Sequence, residues 1–386
     1  MTIAARLRRI AINQQGLLRE ANFGRGKAAT LRAIEHIGYV QIDTISVVER
    51  AHHHVLWSRV PNYRPGFLDQ LVKERQLFEY WFHAAAWLPM RDYRFSLPRM
   101  HQRNGERNWY TECDSKLIDQ ILRRVGDEGP LRARDFEDTR LGKKEWWDWK
   151  PAKQALEQLF MQGDLMVTRR EGFQKVYDLP ERVLPVGVDT REPDIDEFAA
   201  HLVDINIAAH GLVTLKSSAY LRKGKALRLA INDCLQAGVE SGKLSNIRVN
   251  REAEYFVDNQ LLEGRAPAAM ARVRILSPFD NLVIQRERLR ELFQYNYQIE
   301  CYVPEPKRQF GYFCLPLLYR DKLVGRLDCK VHRKHQCLEI KAEHIEKTVD
   351  AEFGKALQRA ILEFARFNGC SRVESTAVSR IAVPDR

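Results

Sequence analysis

GDLMVTRREGFQKVYD (163–178) sets the layout of this chain, because GKLSNIRVNREAEYFVD (242–258) repeats it. Each stretch leaves a glycine, alternates as a strand, turns, and returns to an apolar pair closed by aspartate, the pattern of a β-hairpin. Gly163-Asp164-Leu165 aligns with Gly242-Lys243-Leu244 at an offset of 79, and Val176-Tyr177-Asp178 with Phe256-Val257-Asp258 at an offset of 80. Self-similarity at such a period marks a tandem array, against the alternative of two unrelated α+β segments.

The flanks of each hairpin agree. Upstream of the first, Leu117, Ile118, Ile121, Leu122 and Val125 make one helical face, Gly129-Pro130 breaks it, and Pro151 opens a second helix that ends at Gly163. Upstream of the second, Phe198, Leu202 and Ile205 share a face that ends at Gly211, and another helix runs to Gly242. Helix, short helix, helix, hairpin is the order of a winged helix-turn-helix.

The rest of the chain extends this pattern. Before the repeat lie a helix through Leu17, a helix over 27–37 stopped by Gly38, the β-rich YVQIDTISVV (39–48), a helix over 66–75 and a strand over 77–82. After it, RVRILSPF, YQIECYV, RQFGYFCLPLLY, KLVGRLDCKV and CLEIKAEHI are short alternating strands, followed by a helix over 351–368. The expected fold is α+β: tandem winged helices followed by a small β-barrel with a C-terminal helix. Its segments are 1–110, carrying a Gln-x-Asp strand, then 111–190, 191–262 and 263–386.

Charge points to the partner. The chain of 386 residues carries a net +11 and has a pI of about 9.3, which favours a polyanion, nucleic acid before an anionic membrane surface. MTIAARLRRI lacks the apolar core of a secretory signal, and no run approaches the roughly 20 apolar residues of a span. Seven scattered cysteines with no Cys-x-x-Cys pair fit reduced thiols in the cytoplasm.

Candidate contacts follow from the same reading. Lys150 and Lys153, before the first hairpin, and Arg169, Arg170 and Lys175, within it, could touch phosphates or form an ordinary solvated face. WWDWKP (146–151) is aromatic-rich and fits packing better than base stacking. Residues 307–334 are the most basic stretch: Lys307, Arg308, Arg320, Lys322, Arg326, Lys330, Arg333 and Lys334 face only Asp321 and Asp328, and Phe310, Tyr312 and Phe313 lie among them. A basic hairpin with aromatics can enter a groove, although charges also protect sheet edges. Cys329, His332, His335 and Cys337 have tight metal-like spacing, but alternation on a hairpin points them to different faces. His52-His53-His54, on a strand, fails in the same way. No metal or cofactor is expected. Gln41 and Asp43, at i and i+2, would share a face of their strand, as an amide and carboxylate able to hold a water, or as two ordinary exposed polar residues.

At these residues the chain resembles the YcaQ/AlkZ family of DNA glycosylases. The matching stretches are QQGLL (14–18), VQIDTI (40–45), WSR (57–59), EYW-x-H (79–83), WWDWKP, FQKVYDL (173–179), LSPFD (276–280), ECYVPEPKRQFGYFCLPLL (300–318) and VGRLDCKVHR (324–333). The resemblance implies tandem winged helices plus a β-barrel around a DNA-binding face. It also implies excision of alkylated purines, unhooking of interstrand crosslinks, and a catalytic signature at Gln41-Ile42-Asp43. Some relatives carry Gln in place of the Asp, so Asp43 resembles the YcaQ branch. Where the resemblance leads one to expect a tryptophan and an acid, this chain has Ile284 and Gln285.

The reading is therefore a monomeric, monofunctional glycosylase acting on double-stranded DNA with alkylated or crosslinked purines. Asp43 and Gln41 are its catalytic pair, with Arg50, His52 and His83 as second-tier candidates. Lys307, Arg308, Arg326, Lys330, Arg333, Lys153 and Arg169 would touch DNA. The competing reading is a winged-helix transcription regulator in which Gln41 and Asp43 are incidental; it would bind one sequence strongly.

Overall fold

The computed structural model describes residues 1–101, 113–136, 151–249, 253–375 and the backbone of 381–382. The chain forms two compact units, one of residues 1–64 with 199–386 and one of 65–198. Residues 146–150 of the tryptophan-rich motif lie outside the described residues.

In the unit of 65–198, helix Pro65–Lys73 precedes an antiparallel hairpin, Leu77–Trp81 with Ala85–Pro89. Helix Ser115–Glu128 starts where Asp114 accepts the Lys116 N–H at 3.1 Å and buries Ile121 and Val125. Helix Pro151–Gln162 follows, then the hairpin Met166–Glu171 with Gln174–Asp178.

The larger unit repeats that order. Helix Ile195–His210, strand Leu212–Val213, helix Leu215–Ser218 and helix Lys225–Glu240 lead into the hairpin Leu244–Val249 with Ala253–Asp258. Gly163 and Gly242 both stop their helices at positive φ, +85° and +73°. The returning strands also take matching partners: Tyr177 pairs with Leu131 and Val257 with Leu212. That added pairing sits in the segment between helices, where the sequences do not visibly align.

The C-terminal part holds a six-stranded sheet in the spatial order Ile381–Ala382, Arg372–Ser375, Cys337–Ile345, Lys322–His332, Leu315–Tyr319, Val273–Ile275. Neighbours are antiparallel except Cys337–Ile345 with Arg372–Ser375. The expected barrel is thus an open sheet among the described residues. Helix Phe353–Phe367 supplies the reason: its stripe of Phe353, Leu357, Ile361 and Phe364 shares one core with Leu315, Leu327 and Val373 of the sheet. The helix covers the apolar face that a closed barrel would otherwise bury against itself.

Two local expectations fail nearby. Only Val40–Gln41 of YVQIDTISVV is strand. Asp43 Oδ1 accepts the Ile45 N–H at 2.7 Å, a side-chain bond that takes the backbone out of a ladder. The alternation beyond it reflects Ile45 and Val47 packing on the sheet core as an irregular segment. The histidine run is helical, within Ala51–Trp57. His54 there is buried, and its Nε2 donates to the Ile275 carbonyl at 2.9 Å; burial drives its pKa down to about 4, so the ring stays neutral.

Candidate active site

Gln41 closes its short strand with only 7% of its surface exposed. Asp43 follows, half-buried, between buried Ile42 and exposed Thr44. Because the strand ends at Gln41, the two residues are not held on one face by alternation, as the sequence pattern predicts. What fixes them is a set of anchors on either side. Upstream, Asn281 Nδ2 donates to the Tyr39 carbonyl at 3.0 Å. Downstream, the Val331 N–H donates to the Val47 carbonyl at 2.9 Å, and Arg333 donates to the carbonyls of Ser46 and Val48 at 2.8 and 2.9 Å. The Glu49 N–H donates to Asn368 Oδ1 at 2.7 Å. The loop that carries Asp43 is therefore pinned from both ends.

Burial pushes the Asp43 carboxyl above its ordinary value, and the Ile45 N–H opposes that rise. The carboxylate acts electrostatically on Cys301 and Tyr302: burial first, and the Asp43 charge next, raises the Cys301 thiol. A half-buried carboxylate on a pinned loop can stabilise a developing positive charge and orient water.

The other expected residues divide. Arg50 precedes helix Ala51–Trp57, half-buried, and its N–H donates to Glu49 Oε1 at 2.9 Å. His52 is buried against His53, with ring centroids 4.2 Å apart. His83 lies half-buried in the turn between strands Leu77–Trp81 and Ala85–Pro89 of the other unit. Lys307 and Lys330 are exposed. Arg308 is half-buried, 4.9 Å above Tyr312, and its Nε donates to the Val303 carbonyl at 2.9 Å. In the unit of 65–198, Lys153 is half-buried on helix Pro151–Gln162, and Arg169 is exposed and pairs with Glu171 at 2.8 Å.

Arg326 is a correction. Its residue is 1% exposed, its guanidinium binds Glu346 through Nε and Nη2 at 2.8 and 2.9 Å, and it lies 3.7 Å above the Phe310 ring. So placed, it offers almost no surface to a phosphate. Its strand is buried on both faces over 323–329, and Tyr295, Tyr297 and Phe310 cover the face that carries Arg326, which charge counting alone does not register. The metal-like quartet also disperses. Cys329 and Cys337 are buried, His332 Nε2 meets Glu339 at 2.8 Å, and His335 is exposed in the turn.

Within each unit, motifs that carry the family resemblance supply buried acids. Glu79 of EYW-x-H is buried and binds Arg170 at 2.6 Å, with Lys175 of FQKVYDL at 3.8 Å. Glu300 is buried and accepts the N–H groups of Gln309, Phe310 and Gly311. Composition does not flag Glu79 or Glu300; the signal available is an acid set within an apolar or aromatic run, where burial demands partners.

The family to which the sequence matches defines an enzyme that acts on DNA. The profile of the family described as "DNA glycosylase AlkZ-like" matches residues 34–367, and the chain belongs to that family, so it is a DNA glycosylase with DNA as its partner. Among solved structures, the Streptomyces sahachiroi DNA glycosylase AlkZ is similar, with a TM-score of 0.63 and 16% sequence identity over 96% of this chain and 98% of that one. That likeness is one of fold. Among the described residues, no helix is long and apolar enough to cross a membrane.

Proposed function

We propose that the chain hydrolyses the N-glycosidic bond of alkylated purines and unhooks interstrand crosslinks, with Asp43 as the catalytic carboxylate. The observation that carries this is the position of Asp43: half-buried, raised in pKa by burial, and held on a loop with exposed neighbours. Alkylation at the purine's major-groove nitrogen makes the base cationic. When the bond breaks, its electron pair neutralises the base, and positive charge develops on the sugar. Asp43 stabilises that charge and takes a proton from the water that adds to the sugar carbon. Gln41 orients the water. Because the leaving base is already activated, no amine nucleophile or general acid is required, which makes the enzyme monofunctional.

A crosslinked base is tied to the opposite strand and cannot be extruded into a closed pocket in the usual way. A carboxylate on a loop flanked by exposed Thr44 and Ser46 suits such a substrate. Tandem winged helices at 111–190 and 191–262 and the exposed Lys307 and Lys330 would hold the backbone, with Lys153 and Arg169 as further phosphate contacts. Arg50, His52 and His83 then serve structure or phosphate binding. The protein works as a cytoplasmic monomer.

The test is Asp43→Asn. Release of free base from alkylated duplex should fall on the order of 10²- to 10⁴-fold, while DNA affinity stays within a few-fold. Excision near the wild-type rate would remove Asp43 from the chemistry.

A further inference from the structure

The segment from Glu300 to Phe313 holds an arrangement that the proposed chemistry does not use. Glu300 accepts the N–H groups of Gln309, Phe310 and Gly311 at 2.8, 2.8 and 3.1 Å, which closes residues 300–311 into a loop. Gly311 sits at φ +139°, and a Cβ there would strike the Asp328 carboxylate, so the neck closes only on glycine. Inside the loop, Arg308 spans from the Val303 carbonyl to the face of Tyr312. Pro304 and Pro306 stiffen the chain between them.

From this braced loop Tyr302 stands out, 77% exposed. A tyrosine ring presented to solvent on an ordered loop, beside cations of the same loop, offers a face on which a base can stack. Its surroundings say which base. Ile299 and Phe313, at the loop's ends, pack in the same core as Ile45 and Val47, which follow Asp43. The charge of Asp43 acts on Tyr302 and Cys301. The exposed Lys307 lies on the same loop.

We propose that Tyr302 stacks on a base of the duplex beside the nucleotide that Asp43 attacks. This rests on the reading of Asp43 as the catalytic carboxylate. Every base offers a π-face, so such a contact is tolerant of sequence, as an enzyme that patrols for lesions requires. The braced loop lowers the ordering cost of the contact, because the backbone that presents the ring is already fixed.

The experiment uses a duplex with 2-aminopurine next to an N7-methylguanine whose 2′-fluorinated sugar resists cleavage. Binding of the full chain should change the 2-aminopurine fluorescence. Tyr302→Ala should lose most of that change, and Tyr302→Phe should restore it. On cleavable alkylated duplex, single-turnover excision should fall about 10- to 100-fold for Tyr302→Ala and recover with Tyr302→Phe. An undiminished fluorescence change in Tyr302→Ala overturns the proposal. So does a Tyr302→Phe protein as impaired as Tyr302→Ala, since the hydroxyl would then be the active part. If Asp43→Asn excises normally, the catalytic assignment falls by itself, while the fluorescence comparison still decides whether Tyr302 stacks.

Discussion

Arg59 and Asp280 form a bidentate ion pair, with Nη1 to Oδ2 at 2.6 Å and Nη2 to Oδ1 at 2.8 Å, and neither side chain reaches solvent. Gln15 Oε1 accepts from the same Nη2 at 2.6 Å, and Asp280 Oδ1 also accepts the Leu282 N–H at 2.9 Å. Three separated motifs, QQGLL, WSR and LSPFD, thus meet at one buried charge. Asp280→Asn should leave the guanidinium uncompensated and cost about 3–5 kcal/mol. Denaturant unfolding measures this. A double replacement, Arg59→Met with Asp280→Leu, should cost less than the single change; a single variant with wild-type stability would show the pair to be dispensable.

The acid limb of catalysis should report Asp43. Burial raises this carboxyl above its ordinary value of 3.8. In the proposed mechanism the charged form does the chemistry, so kcat should be lost as pH falls through a pKa above that value. The sign for stability is the reverse of a salt-bridged acid. The folded state binds this proton more tightly than the unfolded chain, so the charged carboxylate costs stability at neutral pH, and that cost is relieved as pH falls through the raised pKa. Asp43→Asn should therefore melt no lower than wild type at pH 7. A clear drop in Tm would mean the carboxylate is a structural acceptor.

Lys307 and Lys330 separate from Arg326 in their response to salt. The two lysines are exposed, so replacing both with Ala should reduce the slope of log affinity against log salt by about two, roughly one for each phosphate left unneutralised. Arg326→Ala should leave that slope unchanged and lower stability, because Glu346 and Phe310 lose their partner. A slope that changes with Arg326 and not with the lysines would reverse the assignment.

What the sequence makes legible is what local pattern controls. The two hairpins, their glycine stops and the stripe of helix Phe353–Phe367 follow from spacing alone, and the spans from Leu77 and from Pro151 begin where propensity and proline place them. The Asp43 segment does not yield to the same reasoning. Its alternation is that of a strand, yet its backbone partners are Arg333, Val331 and Asn368, hundreds of residues away. The basic stretch misleads for a related reason. Arg320 binds Asp350 and Glu352, and Arg326 binds Glu346, acids that lie beyond the window counted.

Arg333 brings these threads together in one test. Counting charge makes it a phosphate contact, and it is exposed in the turn of its hairpin. Its guanidinium nevertheless donates to the Ser46 and Val48 carbonyls, three and five residues past Asp43. With Asp43 as the proposed catalytic carboxylate, a residue that holds its loop should act on catalysis by positioning it. Arg333→Ala should then lower single-turnover excision about 10-fold, in line with a misplaced catalytic group, while the salt slope moves by less than one. Arg333→Lys should rescue only in part, since a single ammonium lacks the planar fork that reaches both carbonyls. A phosphate contact behaves oppositely: the slope falls by about one, the excision rate at saturating enzyme holds, and Lys substitutes well. That second pattern would take Arg333 out of the loop's support and leave Val331 and Asn368 as its anchors.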